Sequence, residues 1–189
     1  GLVVREPLGS GEGWWVGAPG AFRDPLSGRF YLTYRYRRPR GVEPDRGGEL
    51  LIAESEDGVA FRDVWRLTKD QLGSPSIERG CLRRLGDGRW RLWISYVEPA
   101  DHRWRIDVME ADTPTGFDPA TRRKVFTAPE LGIEGIKDPW VFAEGPAYWM
   151  IVSFAERAPE AREAPEQALH HHADAYDTGL IRAHAGLAV

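Results

Sequence analysis

The stretch Gly135-Ile136-Lys137-Asp138-Pro139-Trp140-Val141-Phe142 decides how this chain is interpreted, because an acidic residue followed by proline opens an otherwise apolar strand pattern there. An earlier stretch, Ala21-Phe22-Arg23-Asp24-Pro25, has the same character. Each stretch is followed by a turn and then by an aromatic strand pattern, at residues 30–34 in the earlier copy and 148–152 in the later one. The sequence therefore repeats itself.

A third copy of the pattern lies between these two and lacks the Asp-Pro pair. It begins with Ser74-Pro75-Ser76-Ile77-Glu78-Arg79 and continues into a strand pattern over residues 88–96. The copies recur about every 60 residues, which is typical of propellers and other arrays. We divide the chain into units at residues 15–72, 73–132 and 133–189, each with four short strands and turns between them. The pattern predicts one all-β domain over residues 1–189, a β-propeller with about two and a half to three blades present.

The third unit departs from the plan after its second strand. Residues 155–177 form an insertion rich in Ala, Glu and His, and residues 158–170 have helix-forming composition broken by Pro165. The strand pattern resumes at residues 179–181, and the last residues match the third strand of the first unit. We therefore predict that this unit is cut off before its last two strands and that the chain is incomplete, because natural domains normally cover unpaired sheet edges.

Composition indicates an ordinary packed domain and excludes several kinds of partner. Of the 189 residues, 42% are hydrophobic and 29% are charged, and the net charge is −4. There is no run of Lys and Arg interleaved with aromatic residues and no apolar run long enough to cross a bilayer, so neither a nucleic-acid nor a membrane partner is expected. The single cysteine, Cys81, excludes an intramolecular disulfide and is predicted to be a small buried hydrophobe. The absence of a signal segment mildly favours an intracellular, cytoplasmic origin, although a removed signal would leave the same trace.

Three carboxylates occupy roughly matching positions in the three units. In a propeller the first strand of each blade lies near the central axis, so Asp24, Glu78 and Asp138 are predicted to converge on one funnel. Convergent carboxylates can divide acid and base roles because mutual repulsion and unequal burial separate their pKa values. The alternative is that each Asp before a Pro caps a turn and starts a strand. Two Asp-Pro pairs in register leave both interpretations open.

Four motifs together resemble glycoside hydrolase family 43 and its five-bladed β-propeller relatives, over most of residues 15–154. They are Phe22-Arg23-Asp24-Pro25, Ser74-Pro75-Ser76-Ile77 before Gly88-Arg89-Trp90, Asp112-Thr113-Pro114-Thr115-Gly116-Phe117 and Ile136-Lys137-Asp138-Pro139-Trp140-Val141-Phe142. The resemblance implies that Asp24 matches the catalytic base that activates water. Asp138 then matches the aspartate that raises the pKa of the general acid and orients it. The general acid of the family is a glutamic acid on the fourth blade, which the resemblance places beyond Val189.

The resemblance implies an enzyme that hydrolyses a glycosidic bond with inversion, in an arabinose- or xylose-type saccharide. Base and acid would then be roughly 6.5–9.5 Å apart, which leaves room for a water molecule. Related propellers hydrolyse fructosides with retention or phosphorolyse mannosides, and a propeller that binds carbohydrate without cleaving it is an alternative of another class. The expected partner is a carbohydrate. No cofactor is expected, and a structural cation in the propeller centre is left open.

Glu78 and Arg79 are candidates for substrate binding from the second unit. Glu78 matches no catalytic residue of the family. Its carboxylate either hydrogen-bonds sugar hydroxyls or forms a structural ion pair with Arg79 or Arg23.

Three tryptophans are candidates for stacking on a sugar face, namely Trp14, Trp15 and Trp140. All three are expected near the funnel, and packing in the core is an equally good interpretation for Trp140.

The histidines offer a weaker signal. His170, His171 and His172 precede Asp174 and Asp177, which invites a metal interpretation. Adjacent residues in an extended segment point to opposite sides, so a solvated loop is the favoured interpretation and no metal site is predicted. His184 lies inside a later strand pattern and is a slightly better site candidate, with an ordinary strand histidine as the default.

Overall fold

Three antiparallel sheets follow one another along the chain in a computed structural model that describes residues 1–44, 47–170 and 178–189. The first sheet contains β1 (Trp15–Arg23), β2 (Phe30–Arg37), β3 (Glu49–Ser55) and β4 (Arg62–Thr68). The second contains β5 (Ile77–Arg84), β6 (Trp90–Val97), β7 (Trp104–Ala111) and β8 (Arg123–Phe126). The third contains β9 (Gly135–Glu144), β10 (Ala147–Arg157) and β11 (Ile181–Ala188). The all-β prediction is confirmed, and the sheets are blades of a partial propeller.

Each sheet is a meander, because its strands pair in the order in which they occur in the sequence. The prediction that the third unit stops before its last two strands is wrong. Its third strand, β11, pairs with β10 along its whole length, from Met150 opposite Ala188 to Arg157 opposite Ile181. The insertion between β10 and β11 separates these strands in the sequence but not in the sheet.

Helical segments are short and lie outside the sheets. Within residues 1–44, 47–170 and 178–189 they include 3₁₀ turns at Lys69–Leu72, Pro119–Thr121 and Pro159–Ala161 and the α-helices α1 (Ala128–Leu131) and α2 (Glu166–His170). The partly helical excursion predicted for residues 158–170 is confirmed, and α2 begins directly after Pro165 because proline fits the start of a helix and not its interior. No helix in the described part of the chain is long and apolar enough to cross a membrane.

The hydrophobic core lies between successive sheets. Between the first and second sheets it is built on long aliphatic and aromatic side chains, chiefly Leu50, Ile52, Leu67, Ile77, Leu92, Ile94, Tyr96 and Met109. Between the second and third sheets a smaller cluster includes Cys81, Trp93, Ile106, Val141, Met150 and Val152. The second sheet is therefore buried on both faces, which explains why β6 reads as a nearly continuous apolar run.

The first strands of neighbouring blades approach closely at two glycines. The buried Thr33 hydroxyl donates to the carbonyl oxygen of Gly80 at 2.8 Å and to that of Gly20 at 3.2 Å, so it joins β5 to β1. A Cβ atom at Gly20 would lie 2.5 Å from the Thr33 hydroxyl oxygen, and one at Gly80 would lie 2.8 Å from a Leu50 methyl. Only glycine leaves room for this contact between the strands.

Each first strand carries a two-residue β-bulge near its beginning. The bulges hold Ala18 and Pro19 in β1, Glu78 and Arg79 in β5, and Asp138 and Pro139 in β9. Ala18 and Asp138 both have positive φ angles, 54° and 57°, and each precedes a proline. Ala18 is therefore the counterpart of Asp138 in the first blade.

This register corrects the prediction that Asp24 and Asp138 occupy matching positions. The first strand of the first blade is β1, which ends at Arg23. Asp24-Pro25 therefore lies in the loop that joins β1 to β2. At about 3.3 Å per residue, Asp24 is about 20 Å along the chain from Ala18. The Asp-Pro pairs resemble each other in sequence, but only the one at Asp138 belongs to a bulge.

We expect the substitution Leu92→Ala to lower the free energy of unfolding by about 2–5 kcal/mol, because Leu92 is completely buried between the first two sheets and its loss leaves a cavity. Urea denaturation followed by tryptophan fluorescence measures the effect. The control is Leu26→Ala in the exposed β1–β2 loop, where Leu26 is 72% exposed and a change within about 0.5 kcal/mol is expected. Equal losses in the two variants would contradict this description of the core.

Candidate functional site

Two carboxylates from neighbouring blades meet at the bulges of β5 and β9. The Lys137 ammonium lies between them, with Nζ 4.0 Å from Oε1 of Glu78 and 3.9 Å from Oδ2 of Asp138. Arg35 completes the group, because its Nη2 lies 2.5 Å from Oε2 of Glu78. We call Arg35, Glu78, Lys137 and Asp138 the mouth cluster. It contains Glu78 and Asp138, two of the three carboxylates predicted to converge, and it does not contain Asp24.

The Arg35 guanidinium is buried and held from several sides. Its Nη1 donates to the Ile77 carbonyl at 3.5 Å, and its Cζ lies 5.2 Å from the ring centroid of Trp15. A guanidinium in this position aligns the Glu78 carboxylate by charge and geometry. The predicted partners of Glu78, Arg79 and Arg23, are wrong, because residues distant in sequence reach it across the blade interface.

A buried serine joins the two bulges that carry the carboxylates. The Ser95 hydroxyl donates to the Arg79 carbonyl at 2.9 Å and accepts from the Asp138 N–H at 3.3 Å. The backbone positions of both bulges are thus tied to β6. Sequence reasoning missed Ser95, because a small hydroxyl residue among aromatic core positions gives no signal of its own.

Asp138 is held in a strained backbone conformation. A left-handed conformation costs a non-glycine residue about 1–2 kcal/mol, and proline at the next position adds to the restriction on its backbone. Strain of this kind persists where the surrounding structure enforces it, and it is concentrated at functional sites. The strain therefore supports a functional interpretation of the Asp138 position.

Arg79 adds a third cation at the bulges. Its Nε is enclosed by protein and has no hydrogen-bond partner, and no carboxylate of the described residues forms an ion pair with its guanidinium. The cations that contact the carboxylates of Glu78 and Asp138 are therefore Arg35 and Lys137.

The three candidate tryptophans occupy different environments. Trp15 begins β1 and packs beneath Arg35 and Arg37 at the mouth cluster. Trp14 packs against Gly9 in the N-terminal segment. Trp140 follows the β9 bulge and is 36% exposed, with the Arg83 guanidinium 4.3 Å from its ring centroid. Of the three, Trp15 directly contacts a member of the mouth cluster.

Asp24 has a complete set of partners within its own loop and across to β5. Its carboxylate accepts from the Ser27 hydroxyl at 2.6 Å, from the Ser27 and Leu26 N–H groups, and from Arg84 at 3.2 Å. Burial by itself raises the pKa of Asp24, but the hydrogen bonds from Ser27, Leu26 and Arg84 outweigh it and lower the pKa below its ordinary value. This is the geometry of a turn-capping aspartate. The role of catalytic base for Asp24 remains a prediction of the family resemblance.

His170 belongs to a separate charged group formed with two glutamates. The ligand atoms of Glu134, Glu166 and His170 lie within 4.8 Å of one another, but Arg103 and Arg157 each form ion pairs with both glutamates. Two guanidinium groups already occupy the positions from which a cation would neutralise these carboxylates.

Of the remaining candidates, His184 lies in the part of the chain that the structure describes. His171, His172, Asp174 and Asp177 lie outside the described residues. His184 stacks on Phe154 at 5.2 Å and lies 3.4 Å from Glu156, as an ordinary strand histidine does.

Comparison with known proteins finds this architecture in solved structures of glycosidases. No family model matches the chain, and no curated protein matches it. Similar solved structures include an exo-1,5-α-L-arabinanase from a bovine ruminal metagenomic library, with TM-score 0.56 and 13% identity over 83% of this chain and 58% of that one. An endo-arabinase from Bacteroides thetaiotaomicron has TM-score 0.53 and 15% identity over 72% of this chain and 44% of that one. A family 32 β-fructofuranosidase from Bombyx mori has TM-score 0.54 and 15% identity over 89% and 33%.

These likenesses concern the fold, because all identities are low. The chain spans about half the length of the arabinanases that it matches. Together with the three sheets, they identify the architecture as that of the five-bladed glycosidase-type propellers, with nearly three blades in this chain.

We expect Asp24→Asn to lower the free energy of unfolding at pH 7 by about 1–3 kcal/mol, because it removes charged hydrogen bonds from a buried site. The pKa of Asp24 is lowered in the folded state, so the unfolded state binds the proton more readily. The contribution of the carboxylate is therefore present above about pH 4 and lost as the pH falls further. Urea denaturation at a series of pH values should show the gap between wild type and variant narrowing in acid. A gap independent of pH would contradict the assignment.

Proposed function

We propose that the protein is a glycosidase-type propeller that binds carbohydrate at the mouth cluster and hydrolyses a glycosidic bond in an arabinose- or xylose-type saccharide. The observation that carries the proposal is the convergence of Glu78 and Asp138 at strained or bulged positions of adjacent first strands, beside the Trp15 ring. The solved structures described as arabinanases guide the choice of sugar to test first.

The mouth cluster offers the chemistry that sugar recognition needs. Carboxylates accept hydrogen bonds from sugar hydroxyls, and Lys137 and Arg35 donate to ring and hydroxyl oxygens. The Trp15 ring supplies a flat apolar surface against which a sugar face can pack. A few convergent polar groups beside an aromatic wall are typical of small-ligand sites.

Hydrolysis with inversion needs a general acid and a general base on opposite sides of the bond. In the proposed arrangement Asp138 orients the general acid, which the family resemblance places beyond Val189. Asp24 lies at the far end of β1 from the bulges, so a base acting with Asp138 at the mouth cluster would have to be another group. Glu78 is the carboxylate of the described residues placed next to Asp138, through Lys137.

A second candidate function is carbohydrate binding without cleavage. The observation that favours it is Ala18, a methyl group in the first blade where the third blade has the Asp138 carboxylate. A propeller with two funnel carboxylates in these blades and none in the first can retain sugar affinity while it lacks a base. Fold alone does not distinguish the two functions.

The test uses the full-length protein with α-1,5-linked arabino-oligosaccharides and β-1,4-linked xylo-oligosaccharides. We expect saccharide binding by calorimetry and release of reducing ends. Asp138→Asn should lower kcat by at least 100-fold, because it removes a group that acts on proton transfer. Glu78→Gln should weaken binding by about tenfold or more, because it replaces a charge-assisted acceptor.

The matched control is Glu144→Gln, at an exposed residue near the end of β9, where neither binding nor turnover should change. Binding without turnover in the wild-type protein would select the second candidate. Absence of saccharide binding, or full activity in both Asp138→Asn and Glu78→Gln, would overturn the proposal. Asp24→Asn, measured at a temperature where the variant stays folded, tests whether Asp24 is the catalytic base. A full loss of turnover with intact saccharide binding would support the role that the family resemblance gives to Asp24.

A further inference from the structure

A concave site near the beginning of β1 and the end of β2 is lined mainly by arginines. The cleft has a volume of about 370 Å³, and its walls are formed by Glu12, Gly13, Arg37, Arg38, Pro39 and Arg40. We call it the arginine cleft. Three guanidinium groups and one carboxylate surround a space large enough for a sugar ring or a phosphate group.

A buried carboxylate holds one of the arginines of the cleft in place. Glu49 is 3% exposed, and its Oε1 lies 2.9 Å from Nη1 of Arg38 while its Oε2 lies 2.6 Å from Nη2 of Arg66. Because one carboxylate is shared by two guanidinium groups, this small group keeps a net positive charge. Arg38 is thus fixed in place and still contributes to the potential in the cleft.

One aromatic ring contacts residues of both the arginine cleft and the mouth cluster. The Trp15 ring centroid lies 6.0 Å from the guanidinium carbon of Arg37, which lines the cleft, and 5.2 Å from that of Arg35 in the mouth cluster. Arg35 in turn holds Glu78. A ligand at the mouth cluster therefore has an arginine-lined site close to it.

Arginine favours carboxylates and phosphates, because its planar guanidinium can donate two parallel hydrogen bonds to their oxygens. The protein as a whole has a net charge of −4, so the positive charge is local to this region. A cleft of this size fits one anionic group on a small ligand better than the extended backbone of a nucleic acid.

We propose that the arginine cleft binds an anionic substituent of the saccharide, an oxyanion such as the carboxylate of a uronosyl residue or a phosphate ester. The inference deepens the proposed function and rests on it, because the sugar ring is placed at the mouth cluster. It assigns the substrate to the class of acidic saccharides.

The experiment compares xylo-oligosaccharides that carry a glucuronic acid branch, unsubstituted xylo-oligosaccharides of the same length and inorganic phosphate by calorimetry, with the full-length protein at low and high salt. The acidic saccharide should bind at least tenfold more tightly than the neutral one, and this preference should shrink in high salt. The double substitution Arg37→Gln and Arg40→Gln should abolish the preference for the acidic saccharide. The single substitution Arg40→Gln should weaken this preference and leave the affinity for the neutral saccharide unchanged. Arg40→Lys should retain part of the preference for the acidic saccharide, because lysine keeps the positive charge.

The matched control is Arg162→Gln, at an exposed arginine on the third blade far from the cleft in sequence, where the preference should persist. Phosphate binding that depends on Arg37 and Arg40, without a preference for the uronide, would support an oxyanion site and assign it to phosphate. Equal binding of acidic and neutral saccharides, unchanged by the double substitution, would overturn the inference and leave carbohydrate binding intact. Absence of binding by both saccharides would instead refute the proposed function.

Discussion

The close approach of the first strands β1 and β5 is the constraint on which the site depends. The Thr33 hydroxyl bridges the backbone carbonyls of Gly20 and Gly80, and neither glycine tolerates a side chain there. This contact brings the bulge of β5 against the first blade, so that Arg35 reaches Glu78. Without this contact Arg35 of the first blade would not reach Glu78 of the second.

A few polar contacts also align the second and third blades. Ser95 ties the bulges of β5 and β9 together through its hydroxyl, while Lys137 lies between the carboxylates that those bulges present. The apolar clusters between the sheets supply most of the driving force for packing, and these few buried polar contacts determine the alignment of the strands. The alignment in turn determines which side chains face the mouth.

Identical sequence motifs acquire different roles from their surroundings. Asp138 lies in a bulge with a strained backbone and faces cations at the mouth, whereas Asp24 closes a hairpin and is satisfied by Ser27, Leu26 and Arg84. A carboxylate with this many local hydrogen bonds stabilises the turn, as Asp-Pro pairs commonly do. The position that matches Asp138 in the first blade belongs to Ala18. The distribution of positive charge over the mouth cluster and the arginine cleft likewise depends on residues from different blades.

The sequence by itself determined the all-β class, the repeat of about 60 residues and the blade plan, because alternating apolar residues and turn signals act over short distances. It also predicted that Glu78 and Asp138 lie near each other, because the two residues occupy matching positions of successive repeats. The tertiary structure alone decided the register of the bulges and hence the separation of Asp24 from Asp138, because one extra residue in a strand leaves no compositional signal. It also decided the partner of Glu78, since ion pairs such as that with Arg35 depend on packing between blades rather than on neighbouring positions.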